Sequence, residues 1–318
     1  NNNLNEILRA EPGNICGIKL FMGSSTGNMQ MDDTDALREL FRNAHIPLAV
    51  HCEDEITIKN NTSIFLGKYG EEMPARMHPL IRNRDACYIS SSFAVRLAQE
   101  YNTRLHILHL STADEMKLLS SELPAGEKRI TGEVCVHHLW FDDSYYDKLG
   151  TLIKWNPAIK THFDRESLID AVTNDRIDVI ATDHAPHTYN EKLKKYFNAP
   201  SGAPLVQHSL VMMLELYHRK IISLEKIVEK MCHNPATLFR IKKRGFIREG
   251  YYADLCIVDP DRPWTVSKDN ILYKCGWSPL EGTTFRSKVR KTLVNGTIVF
   301  NDGIIEEDYR GQRLQFDR

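Results

Sequence analysis

The sequence predicts an α/β fold, parallel strands wound with helices into part of a barrel and followed by a small β-domain. Three observations carry this. From Ile15 to about Ile180, short runs of Val, Ile and Leu alternate with amphipathic stretches at helical spacing, the pattern of βα units around a parallel sheet. Lys19, His51, His109 and Asp183 stand at or near the C-terminal ends of those apolar runs, where parallel α/β folds keep their chemistry. After Arg244 the character changes to β-branched runs interrupted by Asn295-Gly296 and Asp302-Gly303, the turn chemistry of hairpins.

In chain order, the expected strands are ICGIKLF (15–21), IPLAVHC (46–52), RLHILHL (104–110), RITGEVC (129–135) and DVIATD (178–183). The segments 33–44, 85–101 and 111–123 between them carry apolar residues three and four apart, with an Asp, Ser or Thr near each start as a cap, and read as helices. An eight-unit barrel takes roughly 250 residues; this βα region, even extended to about Arg244, supplies strands for only part of one. The chain opens on Asn1 in what reads as the tail of a helix, so the expectation is that the first strands lie upstream. Residues 1–250 are assigned to the barrel part and 251–318 to the β-domain.

Composition narrows the partners. Lys and Arg number 41 against 42 Asp and Glu, a net charge of −1, which leaves no basic excess to release counterions from nucleic acid or to hold an anionic membrane. No stretch approaches the roughly 18 apolar residues of a transmembrane helix. A small, roughly neutral molecule is the expected partner, and a homo-oligomer is compatible. Seven scattered cysteines without a CxxC pair read as buried thiols of a reducing cytoplasm.

Single residues admit two readings each. His51 and His109 could be core imidazoles with satisfied hydrogen bonds, but two histidines closing separate strands point toward metal ligation, since neutral imidazole is the commonest transition-metal ligand. Asp183, in DVIATDHAPHT, would be costly to bury unless paired or bound to a cation; a turn or cap aspartate is the alternative. Lys19 inside an apolar strand either snorkels from an edge or is a desolvated amine able to take up carbon dioxide and become a metal-bridging carbamate. His106, three residues before His109, is expected to point to the opposite side of its strand. His137 and His138 read mainly as helix, loop or packing residues. Asn156 before a proline, and the Ser201–Val206 segment, could each meet a ligand or simply turn the chain.

Taken in order, GIKLFMGSSTG, LAVHCEDE, LHILHLSTADE, EVCVHHLWF, KWNPAIK and DHAPHT resemble the cyclic amidohydrolase branch of the amidohydrolase superfamily, and within it the dihydroorotases. The resemblance runs from about Ile15 to the C-terminus. It implies a (β/α)8 barrel with an accessory β-sandwich, and two zinc ions bridged by a carboxylated lysine, matched here by Lys19. It implies His51 and His109 as ligands of one zinc, and Asp183 as a ligand of the other that also moves the proton. Asn156 and His187 match positions that contact the pyrimidine, and Gly202, Ala203 and Pro204 match the segment whose backbone meets the ring. The implied reaction is the reversible cyclisation of N-carbamoyl-L-aspartate to L-dihydroorotate.

One feature departs from that pattern: the family's first-strand His-x-His pair, and the substrate arginine after it, have no counterpart in these residues. This chain taken alone is therefore expected to lack a complete binuclear site. The rival readings are another cyclic amidohydrolase, a dihydropyrimidinase, hydantoinase or allantoinase, and a non-catalytic amidohydrolase-like scaffold.

Overall fold

The computed structural model describes residues 3–23 and 34–318. The SSTG end of the first motif and the start of the first expected helix lie outside the described residues. Five parallel strands, β1 (Ile18–Gly23), β2 (Leu48–Glu53), β3 (Leu105–Ile107), β4 (Ile130–Cys135) and β5 (Val179–Ala181), form one sheet in chain order. That order never reverses, so right-handed crossovers stack on one side of the sheet, as in a barrel wall and unlike a doubly wound sheet. Among the described residues the wall is an open arc.

Register sorts the side chains into two faces. Leu20, Val50 and Ile107 align across β1 to β3 and are buried. Lys19, Ala49, His106 and Thr131 align in the alternate row, on the face a barrel turns inward. Phe21 and His51 pair one step further along this face, and Glu133 pairs with Val179. The outer face is sealed by helices. In α1 (Thr34–Asn43), Leu37, Leu40 and Phe41 are buried at helical spacing. The helix α3 (Arg84–Tyr101) is capped by the Asn83 side chain, which accepts the Ala86 N–H at 3.0 Å, and ends on Asn102 in the left-handed region.

Two helices were not expected, α2 (Glu55–Tyr69) and α4 (His162–Thr173), started respectively by the Asp54 side chain on the Thr57 N–H and by a Thr161/Asp164 capping box. The helix expected over 111–123 shrinks to a 3-10 turn at Asp114–Leu118. There the buried Glu115 carboxylate accepts the Ser111 and Thr112 N–H groups and the Thr112 hydroxyl, local bonds that compete with an α-helical ladder.

The C-terminal strands β6 (Leu255–Asp259), β7 (Lys288–Val294), β8 (Thr297–Asn301) and β9 (Ile304–Ile305) make an antiparallel sheet in the order β9-β8-β7-β6. Asn295 and Gly296 have φ of 50° and 84°, and Asp302 and Gly303 of 49° and 104°, two positive angles per turn as a tight hairpin requires. All seven cysteines are free, but the expectation of buried thiols holds only for Cys52, Cys87 and Cys135: Cys16, Cys232 and Cys256 are exposed and Cys275 is half-buried. Among the described residues no helix is long and apolar enough to cross a membrane.

Candidate metal and substrate site

His51 projects from the inward row of β2, and Nδ1 of its ring lies 3.0 Å from Nε2 of His109. His109 is not part of a strand: β3 ends at Ile107, and His109 has a φ of 39°. That turn defeats the simple alternation expected from the sequence. His106 does not point away from the site; it lies in the inward row with Lys19 and donates or accepts at Thr131 Oγ1 (2.9 Å) and Glu133 Oε2 (3.1 Å).

Two imidazole nitrogens bound to one zinc at ~2.0–2.1 Å sit roughly 3 Å apart, so the His51–His109 spacing fits a shared cation. Both rings are buried, and Nδ1 of His109 is buried without a hydrogen-bond partner. Burial and then the neighbouring His51 hold the His109 pKa well below its ordinary value, which favours the neutral ring, the form that ligates metal. On the far side of His51, Nε2 lies 3.3 Å from Glu53 Oε2. Glu53 is fully buried and ion-paired with Arg82. Burial opposes its ionisation, but Arg82 and His51 outweigh that and bring its pKa down to about 2. A carboxylate behind a histidine fixes the ring's tautomer and orientation. The sequence motifs did not single out Glu53; the signal that would have found it is its place two residues beyond His51 in HCED, hence on the same face of β2.

Asp183 lies two residues past β5 with a φ of 45°. It and His109 thus both hold the left-handed backbone that costs a non-glycine residue on the order of 1–3 kcal/mol and gathers at functional sites. Burial raises the Asp183 pKa, while Lys19 opposes the rise. Lys19 is exposed at the inward face, its ammonium 4.7 Å from the centre of the Phe21 ring. Even so, the surrounding protein desolvates it enough to lower its pKa, against the pull of Asp183 and Glu133. Lys19, His51, His109 and Asp183 therefore share one electrostatic neighbourhood, although Lys19, expected near the C-terminal end of its run, is the second residue of β1 and not one of its last.

The other expected residues form a second cluster. Asn156 has its Oδ1 buried with no hydrogen-bond partner, a free acceptor. Nε2 of His187 contacts the Ser201 carbonyl at 3.1 Å, and His184 Nδ1 accepts the Leu205 N–H at 3.0 Å. Gly202 donates its N–H to the Lys154 carbonyl at 2.8 Å. With a φ of 117°, and the Ala185 carbonyl oxygen 2.5 Å from where a Cβ would stand, only glycine fits there. DHAPHT and SGAP are thus stitched into one wall, with Ala203 buried beneath it.

His137 and His138 are buried as expected of packing residues, His137 lying flat on Trp155 with centroids 4.2 Å apart. With Cys135 they bring three donor atoms within 4.8 Å of one another. Nε2 of His138 lies 3.2 Å from the Pro157 carbonyl, so only its Nδ1 is open, and three donor residues are one fewer than the four a structural zinc takes.

Comparison with known proteins matches residues 25–299 to the amidohydrolase family. The chain is 33% identical to a dihydroorotase of Pyrococcus furiosus over 297 residues, covering 93% of this chain and 64% of that protein. It is 32% identical to a dihydroorotase of Pyrococcus abyssi over 305 residues, covering 96% and 67%. Among solved structures, an L-hydantoinase (dihydropyrimidinase) from Arthrobacter aurescens superposes with a TM-score of 0.87 at 26% identity, over 96% of this chain and 69% of that one. A dihydropyrimidinase from Brevibacillus agri superposes with a TM-score of 0.83 at 22% identity, over 96% and 67%, a likeness of fold. The chain thus spans about 64% of the first of these relatives.

Proposed function

Because the chain belongs to the amidohydrolase family, we propose that it serves a dihydroorotase activity, closing N-carbamoyl-L-aspartate to L-dihydroorotate and reopening the ring. The observation that carries this is the 3.0 Å convergence of His51 Nδ1 and His109 Nε2 at the strand ends, with Lys19 and Asp183 in the same neighbourhood.

Lys19, His51, His109 and Asp183 are the residues that would hold the metal: His51 and His109 would serve one zinc, Lys19 as a carbamate would be shared with a second, and that second site would have only Asp183 and Lys19 from these residues, too few for a complete one. Metal bound there supplies an activated water and polarises the amide carbonyl. Asp183, with its pKa raised by burial, takes a proton in one step and returns it to the leaving ring nitrogen in the next. Glu53 orients His51. Asn156 offers its amide oxygen to a ring N–H, while His187 and the Gly202–Pro204 backbone form the wall the ring rests on. With every cysteine free, a reducing cytoplasm is the compartment assigned.

A hydantoinase or dihydropyrimidinase activity is the second reading, favoured by the structural likeness to L-hydantoinase. Purified native protein is to be offered dihydroorotate, dihydrouracil, hydantoin and allantoin side by side, with its metal content measured. Preferred turnover of dihydroorotate supports the first reading and of hydantoin or dihydrouracil the second. Inactivity without bound metal returns the scaffold reading.

A further inference from the structure

Two lysines outside the metal cluster are buried in a way that core stability does not require. Lys192, at the end of the short helix Tyr189–Lys192, has a side chain with no exposed surface. Its Nζ donates to the carbonyls of Gly202 at 2.8 Å, Pro200 at 2.9 Å and Lys154 at 3.3 Å. Lys154 is also buried, and its Nζ donates to the carbonyls of Ala199 at 2.6 Å and Tyr196 at 2.7 Å while lying 4.4 Å from the centre of the Tyr196 ring.

The chemistry of this pair is unusual. An ammonium has three N–H donors, and all three on Lys192 end on main-chain carbonyls. Neither lysine forms a salt bridge with a carboxylate among the described residues, so no opposite charge offsets the cost of burying two neighbouring cations. Burial and the proximity of Lys154 bring the Lys192 pKa down to about 7, and burial with Arg82 brings that of Lys154 to about 8. Well-packed apolar side chains would stabilise the same space more cheaply. What the two ammonium groups do instead is tie together three separate stretches of chain: Lys154 stands two residues before Asn156, Lys192 five after His187, and their common target is the 196–202 segment ending at Gly202.

We propose that Lys192, assisted by Lys154, is a positioning residue that sets the substrate wall, holding the Gly202 backbone at a fixed distance from Asn156 and His187. This rests on the substrate assignment given under the proposed function. A carbonyl that turned away from Lys192 Nζ would give up a buried hydrogen bond, a cost that an apolar neighbour does not impose. The wall is therefore rigid before substrate arrives, and its ordering need not be provided by binding energy.

The test is Lys192→Met and Lys154→Met in the native protein, each assayed on whichever of dihydroorotate, dihydrouracil, hydantoin and allantoin the unaltered protein turns over best. Lys192→Met is expected to raise KM at least about tenfold while kcat falls less than about threefold and metal content stays unchanged, the signature of lost uniform binding. Amide exchange over 199–204 is expected to speed up while the strands stay protected. An unchanged KM in a folded variant overturns the proposal, as does loss of metal together with kcat. If both variants unfold, the pair holds the fold and not the wall, and the proposal fails. If the native protein turns over none of the four compounds, the proposed function fails on its own. Exchange over 199–204 then decides this inference: faster exchange upholds the tie and unchanged exchange removes it.

Discussion

Nδ1 of His51 and Nε2 of His109 face each other at 3.0 Å although the two residues are 58 apart in the chain. Either one ring donates a proton to the other or both lone pairs await a common cation, and metal binding discriminates the two. With a cation as the proper occupant, His51→Ala and His109→Ala should each lower metal affinity by orders of magnitude, and the double variant should be little worse than either single one. Zinc titration of the metal-stripped native protein and its variants checks this. Additive losses would mean that the two rings do not share an ion.

Glu53 stands behind His51, so its removal should act through the ring. Glu53→Gln keeps the shape and loses the charge, and is expected to weaken metal binding by about 10- to 100-fold, the usual cost of deleting a carboxylate that orients a ligating histidine. Metal affinity measured by competition with a chelator gives the answer. Unaltered affinity would restrict Glu53 to its ion pair with Arg82.

The strands were legible because each contains a short run of Val, Ile and Leu that the sheet buries, a pattern burial enforces whatever the partners. Helix α2 was not, because Ile56 and Ile64 are 71% and 66% exposed and only Ile58 is buried, so its apolar residues do not make one stripe. His106 was misplaced because alternation holds only while the backbone stays extended, and the left-handed turn at His109 comes from the tertiary fold. Lys154 and Lys192 left no local signal either. Their partners are backbone carbonyls, which every residue possesses, so sequence alone could not mark these two lysines as buried.

Asp183→Asn separates proton transfer from charge. The amide fills the same space but cannot take a proton, and kcat should fall at least about 10²-fold, the low end for loss of a general acid–base group, with the thermal midpoint nearly unchanged. Turnover within a fewfold of the unaltered protein would take Asp183 out of the proton path.

Asp175 gives a prediction about stability far from the metal cluster. Its carboxylate accepts from Lys226 at 2.6 Å and Lys230 at 2.8 Å. Burial works against its ionisation, but the two lysines bring its pKa down to about 2. A carboxyl depressed on folding contributes stability above its unfolded pKa of about 3.9, and that contribution disappears as pH falls through about 2. Asp175 is nearly half exposed, so solvent screening holds the contribution to about 1 kcal/mol or less. In urea unfolding, Asp175→Asn should be destabilised at pH 7 and the gap to the unaltered protein should close near pH 2. A gap that stays constant with pH would mean that packing, not charge, is what the substitution removes.

Lys19 is where desolvation and reactivity meet. The protein around it lowers its pKa, which raises the share of neutral amine, the form that adds carbon dioxide to give a carbamate. The resulting anion replaces a cation beside Asp183 and Glu133, an arrangement that like-charge repulsion disfavours unless metal ions lie between them. Carbamate and metal should therefore appear and disappear together. Lys19→Ala in the native protein is expected to lose both metal and turnover, and a short carboxylic acid at high concentration should restore part of each by taking the carbamate's place. Lys19→Arg should not be rescued by bicarbonate, because a guanidinium stays charged and offers no free amine. The intact mass of metal-loaded protein under native conditions should exceed the sequence mass plus metal by one carbon dioxide, and stripping the metal should release it. Full metal occupancy with no such mass increment would leave Lys19 as a plain ammonium on the inward row of β1 and remove it from the metal site.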